Sequence, residues 1–299
     1  MYRDIQFRSD GEHCAGRLYI PSKEKKTGAG IVLAHGFAGT MDSALYDYAK
    51  FFSDQGFHVL TFDYRGFGLS EGKKRQFISV PMQKTDWRAA IDYMRGLDAV
   101  DAERIGLWGY SFSGGHVLHL AAEDAFISAV VAQCPHVDNF ASMALSQQYR
   151  DKKTTDKFKG LIFRDWLGGF IGRTPNYMNI VATEDDPMAA LCAPEAVEYF
   201  DVAGPTWLNR VAPRSFISGK FSMNNAIELV DQYRTPTLLQ VADNDQTVSN
   251  EAILSFARRV GSIAETKHYH CGHFSIAKAP HIKNVSADAA IFFKHQLIK

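Results

Sequence analysis

Short apolar runs alternate with stretches of helical spacing along most of this chain. Ile5 to Arg8 and Cys14 to Ile20 predict two strands around the polar turn Ser9-Asp10-Gly11-Glu12, an antiparallel lead-in. Ile31 to Ala34 is fully apolar and predicts a buried strand, followed by a helix from about Ser43 to Gln55. The same order repeats twice and a further strand follows: a strand at Phe57 to Phe62 with a helix at about Lys84 to Arg95, a strand at Arg104 to Gly109 with a helix to about Glu123, then a strand at Ile127 to Cys134. Buried strands separated by helix-length crossovers predict a mostly parallel α/β sheet with helices on both faces.

The alternation stops at His136 and resumes at Thr237 to Ala242, with a helix at about Asn250 to Val260, a last strand near Glu265 to Tyr269 and a closing helix. The chain therefore divides into a core of residues 1–135 and 234–299 and an inserted, mainly helical cap at 136–233. The cap is rich in aromatics: Phe158, Phe163, Trp166, Phe170, Tyr177, Tyr199, Phe200, Trp207, Phe216 and Phe221. Most are expected to fill the cap's own core. Trp166 and Trp207 are the candidates to line a substrate pocket.

Composition narrows the partners. Lysine plus arginine and aspartate plus glutamate number 33 each, so no global charge draws the protein to nucleic acid or an anionic surface, and a small-molecule substrate is favoured. The four cysteines, Cys14, Cys134, Cys192 and Cys271, lie far apart, as suits reduced thiols in the cytoplasm. The start Met1-Tyr2-Arg3-Asp4 has no apolar signal core, and no run of about eighteen apolar residues offers a membrane span. A cytoplasmic protein is the expectation, with its oligomeric state, a homodimer included, left open.

The chemistry centres on Gly109-Tyr110-Ser111-Phe112-Ser113-Gly114-Gly115, where a buried strand turns at once into a helix. A serine on such a turn is lifted clear of the sheet with a helix N-terminus beneath it. Ser113 is a rival, but it would fall in the first helical turn, so Ser111 is the expected nucleophile. A serine needs a base, and the base needs an acid to hold its tautomer. Asp243-Asn244-Asp245 stands at a later strand end. Beyond it, His273 follows Gly272 in the loop after the final strand, whereas His268 and His270 lie in or at the end of that strand. The order is Ser, Asp, His, with three strand ends converging on one sheet edge. An oxyanion would be met by the backbone N–H of Phe112 and one from the His35-Gly36-Phe37 loop, most plausibly that of Phe37. No zinc pattern is evident, and neither metal nor cofactor is expected.

LAHGF at 33–37, FDYRGFGLSEG at 62–72, GYSFSGG at 109–115, VADNDQTV at 241–248 and CGHF at 271–274 together make the chain resemble the α/β-hydrolases. The fold, the placement of the cap and a Ser111–His273–Asp245 triad are what this resemblance implies. Asp245 rather than Asp243 occupies the family's acid position, just before a short stretch like Gln246-Thr247-Val248. It also lies further into a loop able to reach His273, while Asp243 is expected to cap the turn through backbone N–H groups. The Asp-Tyr-Arg-Gly-Phe-Gly segment and the serine-for-glycine elbow are similar to those of bacterial hydrolases and of polyketide-tailoring relatives. The expected activity is hydrolysis of carboxylic esters through an acyl-enzyme. The alternatives are a thioesterase or acyltransferase acting on acyl or polyketide thioesters, an amidase or peptidase, and a ligand-binding homologue without chemistry. A dehalogenase or epoxide hydrolase would need an aspartate where Ser111 stands.

Overall fold

The computed structural model describes residues 2–183, 188–217 and 224–298. The expected lead-in is a hairpin, β1 (Tyr2–Ser9) with β2 (Glu12–Tyr19), paired antiparallel in the register Tyr2 opposite Tyr19. The alternating part follows as β3 (Gly30–Ala34), α1 (Leu45–Asp54), β4 (His58–Phe62), α2 (Val80–Arg95), β5 (Ile105–Tyr110), α3 (Phe112–Glu123) and β6 (Ile127–Gln133). After the inserted segment come β9 (Thr237–Ala242), α7 (Asn250–Val260), β10 (Ala264–Tyr269) and α8 (His281–Leu297). Eight strands form one sheet in the order β1-β2-β4-β3-β5-β6-β9-β10. From β4 to β10 every neighbouring pair is parallel.

Strands β3, β4, β5 and β9 are buried at every residue, which is why they read as mostly apolar runs rather than alternating ones: helices cover both faces. Each fully buried Val, Leu, Ile or Phe contributes about 1.5–3 kcal/mol over its exposed state. Helix α2 begins at Val80, four residues before the expected start, because Pro81 sits in the first turn where its missing N–H costs nothing.

Between β6 and β9 the inserted segment carries a short strand pair beside its helices. Two helices, α4 (Asn139–Gln147) and α5 (Lys152–Phe170), are capped by Asp138 and Asp151, whose carboxylates accept backbone N–H bonds at Phe140 and Ala141 and at Thr154. They are followed by a short parallel pair, β7 (Asn179–Val181) with β8 (Ala189–Leu191), and then by the one-turn helix α6 (Tyr199–Val202) and several 3-10 turns. Asn209 braces β7: its amide oxygen accepts the N–H of Ile180 and of Val181 and its amide nitrogen donates to the Val181 carbonyl. Phe221 lies outside the described residues. No helix among them is long and apolar enough to cross a membrane.

The motif Asp63-Tyr64-Arg65 proves to be scaffold. Asp63 accepts the N–H of Met41 at 2.6 Å and of Leu69 at 2.9 Å, tying the loops after β3 and β4 together. Arg65 forms a buried ion pair with Asp86 on α2, which also accepts the Ser9 hydroxyl.

Candidate active site

Ser111 closes β5 and opens α3 with φ 58° and ψ −115°, a conformation that costs a non-glycine residue free energy and recurs at functional turns. Its neighbours are small because strand and helix touch here. A Cβ on Gly109 would come within 2.3 Å of the Ser113 carbonyl oxygen, and one on Gly114 within 2.7 Å of Pro135 Cα. The Ser111 N–H donates to the Gln133 carbonyl and its own carbonyl accepts the N–H of His136, so the turn is held by β6 and the loop after it.

The serine that stands where the elbow pattern has glycine is wholly buried. Ser113 Oγ donates to the His35 carbonyl and meets the Tyr64 hydroxyl, which in turn accepts the Trp87 indole N–H at 2.6 Å. It is a structural link between the loops after β3 and β4.

The structure brings Ser111, His273 and Asp245 into one line. His273 Nε2 lies 2.9 Å from Ser111 Oγ, and His273 Nδ1 lies 2.7 Å from Asp245 Oδ2. Both the imidazole and the Asp245 side chain are buried. The Tyr110 ring stacks on the imidazole at 5.2 Å and the Phe274 ring meets it edge-on at 4.9 Å, while the Tyr110 hydroxyl donates to the His273 carbonyl. Burial by itself would lower the imidazole pKa, but the charge and hydrogen bond of Asp245, with the charge of Glu195, raise it above the ordinary 6.5.

Asp245 Oδ1 accepts the N–H groups of Thr247 and Val248 at 2.8 and 2.9 Å, so the turn-capping role expected of Asp243 belongs to Asp245. Asp243 points outward and pairs with the exposed His268 at 2.8 Å. Glu195, in the 3-10 turn Pro194–Glu198 of the inserted segment, was not foreseen. Its carboxylate accepts the backbone N–H of His273 at 2.9 Å and of Gln246 at 2.6 Å.

Phe37 and Phe112 flank Ser111, their rings edge-to-face at 6.0 Å, and Gly36 lies so close that a Cβ on it would stand 2.9 Å from Ser111 Cβ. Two cavities meet at the serine and share Phe37, Ser111, Leu191 and Thr247. One, of about 30 Å³, is closed by Tyr110, Tyr199, His273 and Phe274. The other, of about 470 Å³, runs under the inserted segment between Phe112, His136, Phe140, Phe158, Ile162 and Phe216. Arg150 also lines it, its guanidinium 4.0 Å above the Phe158 ring and donating to the Ala189 and Ala190 carbonyls.

Neither tryptophan candidate lies in these walls. Trp166 packs against Phe163 and Phe170, one turn beyond Ile162 on the stripe of α5 that carries Thr155, Phe158, Lys159 and Ile162, past the end of the cavity. Trp207 packs on Tyr199 and Phe200, and reaches the smaller cavity only through Tyr199.

Cys134, Asp245 and His273 bring possible metal-ligating atoms within 4.8 Å of one another. Burial, with Asp245 nearby, pushes the Cys134 thiol well above its usual range, which keeps it neutral and a poor ligand. Asp245 and His273 are already engaged with each other and with Ser111.

The chain is similar to several known proteins. The chain is 35% identical to the quorum-quenching protein AidA of Acinetobacter baumannii (strain MDR-ZJ06) over 300 residues, spanning 97% of this chain and 94% of that protein. It is 33% identical to the thiohydrolase aneE of Aspergillus aculeatus over 138 residues, 46% of this chain and 42% of the relative. The crystal structure of the alpha/beta hydrolase GrgF from Penicillium sp. sh18 superposes with a TM-score of 0.81 at 22% identity, over 99% of both chains, and shares the fold. Residues 31–280 match the family described as alpha/beta hydrolase fold, and with strand order, crossovers and elbow in agreement the chain belongs to the alpha/beta hydrolases.

Proposed function

We propose that this hydrolase cleaves carboxylic esters through an acyl-enzyme on Ser111, with His273 as base, Asp245 as its orienting acid, and residues 136–233 as a cap over the acyl site. The observation that carries the reading is the unbroken line from Asp245 Oδ2 through His273 to Ser111 Oγ, at 2.7 and 2.9 Å, on a serine of positive φ.

In this reading Asp245 holds the tautomer with the proton on Nδ1, leaving the Nε2 lone pair to accept the Ser111 proton. Oγ attacks the carbonyl carbon, and the oxyanion is met by the N–H groups of Phe112 and Phe37. Collapse of the tetrahedral intermediate breaks the bond to the leaving group, which takes the proton from Nε2. Water then attacks the acyl-enzyme, giving its proton to His273, and the second collapse releases the acid and returns the proton to Ser111. The larger cavity, walled mainly by aromatic and aliphatic side chains, suits an apolar acyl group, while the smaller leaves room for little more than a water-sized group.

A thioester substrate is the second reading, favoured by the relative named a thiohydrolase. The quorum-quenching name of AidA adds quorum signals to the substrates worth testing. Initial rates on matched p-nitrophenyl esters, acyl-CoA thioesters and aminoacyl amides, with quorum signals alongside, decide between them. Ester turnover exceeding the others in kcat/KM supports the reading, and faster turnover of the matched thioester would replace it.

A further inference from the structure

We propose that Glu195 is a positioning residue for this site: a carboxylate from the inserted segment that fixes the acid loop against the base loop and keeps a negative charge behind His273. The proposal rests on the assignment of Ser111, His273 and Asp245 above.

Glu195 is only 9% exposed and its partners come from two distant loops. Oε1 accepts the Gln246 N–H at 2.6 Å and the Thr247 hydroxyl at 2.8 Å, in the loop that follows Asp245. Oε2 accepts the His273 N–H at 2.9 Å. A Cβ on Gly272 would approach Oε2 to 2.6 Å, so the base loop carries a glycine where the carboxylate enters. Fixing the His273 main chain fixes where its ring stands relative to Ser111.

Every contact of this carboxylate is a donor, and among the described residues no lysine or arginine pairs with it. Burying an unpaired charge is costly, and a neutral hydrogen-bonding side chain would avoid the cost. The charge has one neighbour that gains from it, His273, which becomes an imidazolium each time it takes the serine proton. Around that ring stand Asp245 at Nδ1, Tyr110 and Phe274 on the two sides, Cys134 close to Asp245 and His273, and His136 across the elbow. Of these only Asp245 is an acid, and Glu195 behind the ring adds the second negative charge acting on it.

The test is the rate of Ser111 labelling by a fluorophosphonate from pH 5 to 9, with thermal melts in parallel, for the full-length chain, Glu195→Gln and Glu195→Asp. Glutamine presents an N–H to one of the two loops and carries no charge. Its labelling rate should fall about tenfold, and because the imidazole then gives up its proton more readily, the acid limb should move about half a unit to lower pH. Aspartate keeps the charge but is too short to reach both loops, so its rate should fall with the limb unmoved. A folded Glu195→Gln with the wild-type limb overturns the proposal whatever its rate, because a purely structural staple behaves that way. If Glu195→Gln does not fold, a Glu195→Asp variant with wild-type rate overturns it and one with a reduced rate and unmoved limb supports it. Absence of labelling in the wild type would overturn the Ser111 assignment instead.

Discussion

The two aspartates of the 243–245 turn show how much one position decides. Asp245 has its side chain out of solvent, one oxygen on His273 and the other on two backbone N–H groups. Asp243 is half-exposed and bound to a surface histidine. Asp245→Asn leaves room and shape nearly unchanged but presents an amide to Nδ1, favouring the wrong tautomer, so kcat should fall by about 10³–10⁴ at pH 7. Asp243→Asn alters only an exposed contact with His268, of a kind worth about 0–1 kcal/mol, and should leave kcat within about twofold and the melting temperature nearly unchanged. Steady-state kinetics and melts of both variants check this, and silencing by Asp243→Asn would mean that another acid serves the histidine.

What could be read from the chain at this scale was the residues whose chemistry is unusual for their place. Ser111 stands on a glycine-flanked turn, while Asp245 and His273 stand in loops beyond strand ends. Ser113 was legible as a helix-start residue, but its bonds to His35 and Tyr64 depend on how two loops pack. Glu195 was not legible. Its partners include main-chain N–H groups of Gln246 and His273, which every non-proline residue possesses, so no pairing of side-chain types announces it.

Among the elements, the buried strands were the easiest to foresee, because a strand covered on both faces has an apolar run that little else in a short segment explains. The inserted segment was harder, since its three-residue strands β7 and β8 are too short to carry a period and are braced by the side chains of Asn209 and Arg150. Its aromatic content pointed to a pocket, but composition does not say how far along a helix that pocket extends. On α5 the cavity is lined as far as Ile162, and Trp166, one turn further along the same stripe, packs against Phe163 and Phe170 instead. Phe158→Ala or Phe216→Ala should therefore shift the ratio of kcat/KM between short and long acyl esters by about tenfold, as loss of apolar contact worth 1–3 kcal/mol would. Trp166→Ala should leave that ratio within about twofold. A larger change from Trp166→Ala than from Phe158→Ala would mean that the substrate reaches a turn further along α5 than the cavity does.

For the molecule as a whole, burial of histidines sets the response to acid. His35, His119 and His136 are lowered to about 4 and His116 to about 3, in each case first by burial. The unfolded chain binds protons at these sites from about pH 6.5 downward while the folded one does not, so acid favours unfolding. Each such histidine removes up to about 1.4 kcal/mol of stability per pH unit between its unfolded and folded values. His273, raised instead, opposes this only above its unfolded value. Urea midpoints should drop steeply from pH 7 to pH 5, and a flat profile would mean that these side chains take protons without unfolding.

The central claim is that Ser111 carries the acyl group. Rapid acid quenching of a reaction with p-nitrophenyl acetate, followed by peptide mass mapping, tests it without any substituted residue. The account predicts an added acetyl mass on the peptide containing Ser111, fragmenting at Ser111, with one equivalent of p-nitrophenol released in a burst. Acetyl found on Ser113, or turnover with no acylated serine, would contradict it.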